Sequence, residues 1–439
     1  MILIDIFKTS SETERIEGKL EIDSTYRYWR YHTLLNIYIG YAGFYFARKS
    51  INYVMPELMT DFGLDMTDVG LLGTLFYITY GLSKFFSGCI SDNANPRYFM
   101  GIGLIVTGII NIFCGLSNSF ALFAVLWMLN AVFQGWGWPS CVKLLTTWYS
   151  RSERGLWWSI WSTAHNAANI FLSILVGFIA LHYGWREGMF VPGIMAVLIG
   201  LLLCWRLRDK PITMGLPTVG KWRNDQMELV QEHHAENLSY REAIRQYIFY
   251  NKYIWLLVLS YILVYVVRIA IEYWGNLYLI ERYGYDLVSA NSVIVVFEIG
   301  GVAGALIAGR WADVLFNGNR ILMTLLFSIG IFFAVTALWL MPAGTYFLQA
   351  GCFFSLGFFV FGPQMLIGIT AAECSHKKVP GASTGFIGFF AYIGAAMASY
   401  PLGIVIEKFH WNGFFIVIAI ASALIGLVLL PFLKGQQLP

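Results

Sequence analysis

Arg48 and Arg268 stand inside apolar stretches of this chain, and each keeps the same company. Tyr41, Tyr45, Arg48 and Tyr53 read Y-x3-Y-x2-R-x4-Y, and Tyr261, Tyr265, Arg268 and Tyr273 repeat that pattern 220 residues later. A guanidinium presents planar paired N–H donors that match phosphate oxygens, which an ammonium cannot do. Tyrosine hydroxyls and indoles add hydrogen bonds and flat faces suited to a sugar ring. These residue types could hold a phosphorylated solute. They do not suggest chemistry upon it: P-loop, dinucleotide and metal-ligand spacings are all absent, so neither a cofactor nor an enzymatic role is expected.

Other ionisable groups share the apolar stretches: Lys49, Lys84, Lys143, Glu272, Glu298 and His165. A charge at a helix centre costs about 2.5–3.5 kcal/mol in a membrane, so each calls for a role. At about 100° per residue, Tyr41, Tyr45, Arg48 and Asn52 share one helix face, and Tyr261, Tyr265, Arg268 and Glu272 share another. Lys84 falls with Tyr77 and Tyr80, and His165 with Trp158, Trp161 and Asn169. Lipid rejects such stripes, so they should line a central cavity, with Lys49 at its edge. Two facing guanidinium groups repel in low dielectric, and a dianion between them relieves the repulsion. Structural alternatives stand beside this reading. Arg268 could be wholly engaged by Glu272, Lys84 could serve Glu298 or a carbonyl, and His165 could join two helices. Glu298 reads as structural or gating, and Lys143 is expected to snorkel to the interface. The His233-His234 pair lacks further ligands for a metal.

The elements that position these residues follow from composition. Of 439 residues, 58% are hydrophobic and 13% charged, and the mean hydropathy is +0.62; soluble domains carry about 25% charged residues. Residues 98–150 hold one charged side chain, Lys143, and residues 321–372 hold none. Each stretch exceeds one span of about 20 residues and must contain two. Twelve helices are expected near 31–54, 67–90, 98–116, 119–146, 155–181, 188–206, 251–280, 287–309, 320–341, 345–371, 381–406 and 410–433.

The repeat extends beyond the arginines. Gly88…Asp92…Arg97 recurs as Gly309…Asp313…Arg320, and Gly137-Trp-Pro139 answers to Phe361-Gly362-Pro363. Matches in order at near-constant offset argue for duplication. The expected fold is an all-α membrane protein, twelve transmembrane helices in two pseudo-symmetric six-helix bundles. Residues 1–30 read as a tail, 31–206 and 251–433 as the bundles, and 207–250 as a charged central loop with a short surface helix. Lys and Arg number 21 in the connections on the terminus side and three on the other (Arg186, Arg282, Lys408), so both termini should be cytoplasmic. The N-terminus lacks a signal-peptide apolar region, so the first span reads as an uncleaved anchor. The six cysteines read as packing residues, and the lipid bilayer is the expected surrounding, with no nucleic-acid partner.

Over residues 26–433 the chain resembles the organophosphate:inorganic phosphate antiporters of the major facilitator superfamily, which include glycerol-3-phosphate and hexose-phosphate transporters. The resemblance rests on YxxRKS in the first span and YGLSKFFSGCISDNANPR in the second. It continues with GWGWPSCVKLLTTWYSRSERGLWWSIWSTAHNAAN in the fourth and fifth, and FGPQMLIG and GFFAYIG in the tenth and eleventh. It implies exchange of a hexose phosphate, glucose 6-phosphate above all, for inorganic phosphate by alternating access in the cell inner membrane, in a protein acting as a monomer. It puts Arg48, Arg268, Lys49, Lys84 and His165 on the phosphoryl group. Tyr41, Tyr45, Trp138, Trp161, Asn166, Tyr265, Glu272 and Tyr392 would line the cavity. Glu272 fits the hexose-phosphate branch. That branch's transporters carry an acid–lysine pair in the eleventh span, where this chain has Thr384 and Ile387. Some of its members are receptors for external glucose 6-phosphate that signal to a histidine kinase, and both roles stay open. A proton-coupled symporter of neutral sugars would expect central carboxylates in place of the arginine pair.

Overall fold

Backbone groups inside a bilayer must be satisfied within their own segment, so apolar runs of membrane length become helices. The computed structural model describes residues 8–434 apart from 10, 12, 65, 236–238, 286, 343 and 344. Among the described residues the first bundle comprises span 1 (Lys19–Phe62), span 2 (Met66–Asn93) and span 3 (Pro96–Leu116). Span 4 is broken into Phe120–Gln134 and Gly137–Trp148, span 5 into Arg154–Ser162 and Ala164–Tyr183, and span 6 is Trp185–Arg206. The second bundle comprises span 7 (Lys252–Tyr283), span 8 (Leu287–Val314), span 9 (Arg320–Leu340), span 10 (Tyr346–Cys374) and span 11 (Pro380–Ala398). The helix Tyr400–Leu429 carries span 11 onward to His410, whose φ of 55° breaks the helix and starts span 12.

The duplication is visible in the helix ends. Spans 1 and 7 both stop at a left-handed glycine, Gly63 and Gly284. Spans 3 and 9 both start behind an asparagine whose side chain accepts a backbone N–H, Asn95 and Asn319, which satisfies a donor with no partner inside the helix. By length and apolarity, eight described helices qualify as membrane spans, and Pro380–Leu429 counts as one of them. Spans 1 and 2 fall short because they carry polar and charged residues that turn inward.

The two bundles seal against each other on the side of the termini, by reciprocal contacts. Asp92, ending span 2, accepts from the backbone N–H groups of Gly381 (2.7 Å) and Ala382 (2.8 Å) in the first turn of span 11. Asp313, ending span 8, accepts from the N–H of Leu156 (2.8 Å) in the first turn of span 5. Each bundle thus lends a carboxylate to a helix N-terminus of the other, where the helix dipole favours negative charge.

The central segment joins this seal. Its helix Gln226–Ala235 buries Glu228, which accepts from Arg154 of the first bundle (2.9 Å) and Lys377 of the second (2.6 Å). Trp222 stacks on Tyr26 with ring centres 4.2 Å apart and donates to Asp23. These contacts explain why span 1 starts at Lys19 rather than near 31: its first turns are helical because they pack on the central segment. Lys143 also departs from expectation. It does not snorkel; it is buried and donates to the carbonyls of Ala94 (2.6 Å) and Ser91 (3.2 Å) at the end of span 2. The side chains of His233 and His234 lie outside the described residues.

Candidate functional site

Spans 1, 2, 4 and 5 of the first bundle and 7, 8, 10 and 11 of the second turn their polar faces toward one central site. Helical spacing brings Tyr41, Tyr45 and Arg48 inward together, and all three are buried. The Arg48 guanidinium lies against two rings, 4.2 Å from the centre of Tyr80 and 4.6 Å from that of Tyr45. One edge of it, Nε and Nη2, donates to Gln134 Oε1 at 3.2 and 3.1 Å. Arg268 is arranged alike from the other bundle. It lies 4.7 Å from the ring centre of Phe361 and 5.8 Å from that of Tyr265. Its Nη1 donates to Gln364 Oε1 (2.9 Å) and its Nε to Glu272 Oε1 (2.6 Å). The Glu272 pairing was one of the alternatives, but it engages only part of the guanidinium.

Lys84 is 2% exposed. Among the described residues it bonds to neither Glu298 nor a carbonyl; its ammonium sits 4.3 Å from the ring centre of Trp138 and 5.6 Å from that of Tyr392. The neighbouring backbone makes room for it, since a Cβ on Gly388 would stand 2.7 Å from Lys84 Cε. His165 packs between Tyr45 and Phe361, each 5.5 Å away by ring centres. It therefore joins the Arg48 wall to the Arg268 wall. Trp161 and Trp138 pack edge-on or tilted beside Tyr41, and Tyr392 lies between Tyr80 and Tyr265. Asn166 donates to Glu298 across the bundle interface. Lys49 is partly exposed at the margin, within electrostatic range of Glu272 and Arg268.

Burying polar groups without partners costs roughly 1–3 kcal/mol each, so folded proteins rarely leave them. Here His165 Nε2, Trp138 Nε1, Trp158 Nε1 and Asn166 Oδ1 are buried with no hydrogen-bond partner among the described residues. All sit on the same wall. Such a concentration of donors and acceptors fits a polar ligand better than a packed core.

The motif does not converge throughout. Asn52 is exposed, Tyr273 is half exposed, and the side chain of Tyr53 lies outside the described residues. Exposure therefore rises one turn beyond each arginine, away from the sealed side. Residue type alone missed Gln134 and Gln364, since an amide in a span carries no charge to mark it. Their positions beside Gly135 and Pro363, where the fourth and tenth spans are disturbed, were the available signal.

A family model described as Major Facilitator Superfamily matches residues 37–399. The chain belongs to the major facilitator superfamily. Within that superfamily it is 56% identical to "Membrane sensor protein UhpC" of Escherichia coli (strain K12), over 99% of both chains. It is 44% identical to "Probable hexose phosphate transport protein" of Chlamydia trachomatis, over 97% of this chain and 95% of that one. A "Glycerol-3-phosphate transporter" of Bacillus subtilis (strain 168) is 35% identical over 98% and 97%. The solved proton:xylose symporter XylE superposes with a TM-score of 0.71 at 15% identity, covering 94% of this chain and 98% of that one, a likeness of fold. Superfamily members place substrates near the midplane between bundles.

Proposed function

We propose that this chain is a secondary transporter exchanging a hexose phosphate, in the first place glucose 6-phosphate, for inorganic phosphate. It works by alternating access in the cell inner membrane with both termini in the cytoplasm. The observation that carries this reading is the pair of buried arginines, one from each bundle, each hydrogen-bonded along only part of its guanidinium and both within electrostatic range of Lys84 and His165. By formal charge, Arg48, Lys49, Lys84 and Arg268 exceed Glu272 and Glu298 by two. A phosphate monoester, with a charge of about −1.5 to −2 near neutral pH, offsets that excess. Trp138, Trp158, His165 and Asn166 offer the sugar hydroxyls donors and acceptors, and the aromatic faces offer stacking.

Coupling follows from the same electrostatics. An empty site opposes closure of the bundles around like charges, whereas either anion removes the penalty, so loaded carriers reorient and empty ones do not. The chain's likeness to proteins named for hexose phosphate transport supports the substrate class. Uptake of labelled glucose 6-phosphate by purified protein in phosphate-loaded vesicles tests the reading. Uptake that needs internal phosphate is expected, and efflux of phosphate into anion-free buffer at the same speed would overturn exchange.

A receptor for external glucose 6-phosphate, signalling to a histidine kinase, is the second reading. The 56% identity to a membrane sensor protein favours it, as do Thr384 and Ile387 in span 11 in place of the acid–lysine pair. Binding of glucose 6-phosphate without uptake would select it.

A further inference from the structure

We propose that Gln134 and Gln364 are positioning residues for the two arginines, each setting one guanidinium so that its remaining N–H donors meet the phosphoryl group. The inference rests on the reading of the cavity given above. Gln134 is fully buried and Gln364 nearly so, each on the broken or proline-bearing span that faces its arginine. The Gln134 amide has only one workable orientation: its Nε2 donates to the Phe44 carbonyl (3.0 Å), so Oε1 must face Arg48. Gln364 Oε1 takes one N–H of Arg268 while Glu272 takes another. Aromatic rings lie against both guanidinium groups, and among the described residues the hydrogen bonds of Arg48 and Arg268 use Nε and Nη2 of the first and Nε and Nη1 of the second, with the Tyr80 hydroxyl beside the Arg48 group.

The two glutamines are not copies of one ancestral position. They lie 230 residues apart, whereas the arginines lie 220 apart and Pro139 and Pro363 lie 224 apart. Each bundle therefore brings an amide to its arginine from a different helix register. Duplication alone does not produce that; a shared demand on both guanidinium groups does. The demand is for an acceptor without charge. A carboxylate would hold the guanidinium equally well but cancel the excess positive charge that attracts a dianion. A neutral carbonyl fixes orientation and leaves the charge intact. It also removes rotamer freedom before the ligand arrives, so less is lost on binding.

Gln134→Met and Gln364→Met keep the side-chain volume and remove the acceptor. Inorganic phosphate and glucose 6-phosphate are the probes, read in two ways on the full chain: phosphate exchange in proteoliposomes, and ligand-induced thermal stabilisation in detergent, which registers binding in a receptor as well. Each Met variant is expected to raise KM for phosphate about ten- to a hundredfold, as the loss of a hydrogen bond to a charged group would. The kcat should change little, and the ligand-free melting temperature should fall modestly because a buried guanidinium loses an acceptor. Gln134→Glu and Gln364→Glu, which keep an acceptor but cancel charge, should also lose phosphate affinity. Unchanged KM and unchanged stabilisation in the Met variants would overturn the proposal and leave both glutamines as packing residues. If a Met variant fails to reach the membrane, Gln134→Asn or Gln364→Asn replaces it; the amide remains but falls one methylene short, and the same loss is expected. A wild-type protein that responds to neither anion would instead overturn the reading of the cavity itself.

Discussion

Arg48 and Arg268 occupy equivalent places but unequal surroundings. Among the described residues Arg48 meets a neutral amide and tyrosines, whereas Arg268 also meets the carboxylate of Glu272. The phosphoryl group should therefore bind more tightly on the Arg48 side. Arg48→Lys keeps the charge but offers no planar pair of donors to Gln134 and phosphate together. It is expected to weaken glucose 6-phosphate binding about a hundredfold, as for a lost bidentate contact, and titration by thermal stabilisation measures this. A generic structural cation would tolerate the exchange. Both arginines were legible in the sequence because charge in an apolar span is conspicuous. The glutamines were not, because an amide costs far less there and its meaning depends on what stands opposite.

Among elements, the central segment differs most from its sequence reading. A charged, polar stretch between bundles reads as a tether, yet one of its helices carries Glu228 into a buried cluster shared by Arg154 and Lys377. Burial by itself would raise the Glu228 carboxyl, but Arg154 and Lys377 beside it hold it below the usual glutamate range. A lowered value in the folded protein means that its contribution is complete above the unfolded glutamate value of about 4.3. It is lost as pH falls from there through the folded value. Glu228→Gln removes the carboxylate that Arg154 and Lys377 share, leaving Arg154 the longer contact to Glu373 (3.8 Å), and should destabilise the protein by about 3 kcal/mol at pH 7. Thermal unfolding of wild type and variant across pH 7 to 4 checks this: the gap should narrow toward acid, and a pH-independent gap would refute the assignment. The hydrophobic pattern located the helices well, but it could not show which connecting residues would be buried.

At the scale of the whole molecule, the seal on the terminus side decides which face the cavity opens to. Exposure increases away from that seal, through Lys49, Glu272 and Asn52. Close backbone contact makes the seal possible: a Cβ on Gly88 would stand 2.4 Å from the Gly381 carbonyl oxygen, and one on Gly309 would stand 2.6 Å from that of Gly155. Gly88→Val should push the bundles apart on this side and shift the population toward the oppositely open state. In a background free of native cysteines, Ser383→Cys reports the shift. Its modification by a membrane-impermeant maleimide added from the terminus side should speed up at least severalfold with Gly88→Val. An unchanged rate would mean that the contact does not hold the seal. The Asp92 and Asp313 bonds to the opposite bundle belong to the same device, and they explain why the G-x3-D pattern occurs twice.

The sequence by itself determined the membrane class, the twelve spans, the duplication and the inward faces of the arginines, because each follows from local composition and helical period. Bilayer and backbone hydrogen bonding enforce those rules one segment at a time. The tertiary structure alone decided that Lys84 rests on Trp138, that His165 joins the two walls and that Gln134 and Gln364 brace the arginines. It also decided that a linker carboxylate locks the bundles together. Those relations span 54 to 196 residues of chain. They depend on how helices are rotated and stacked against each other, which no periodicity within one helix can encode.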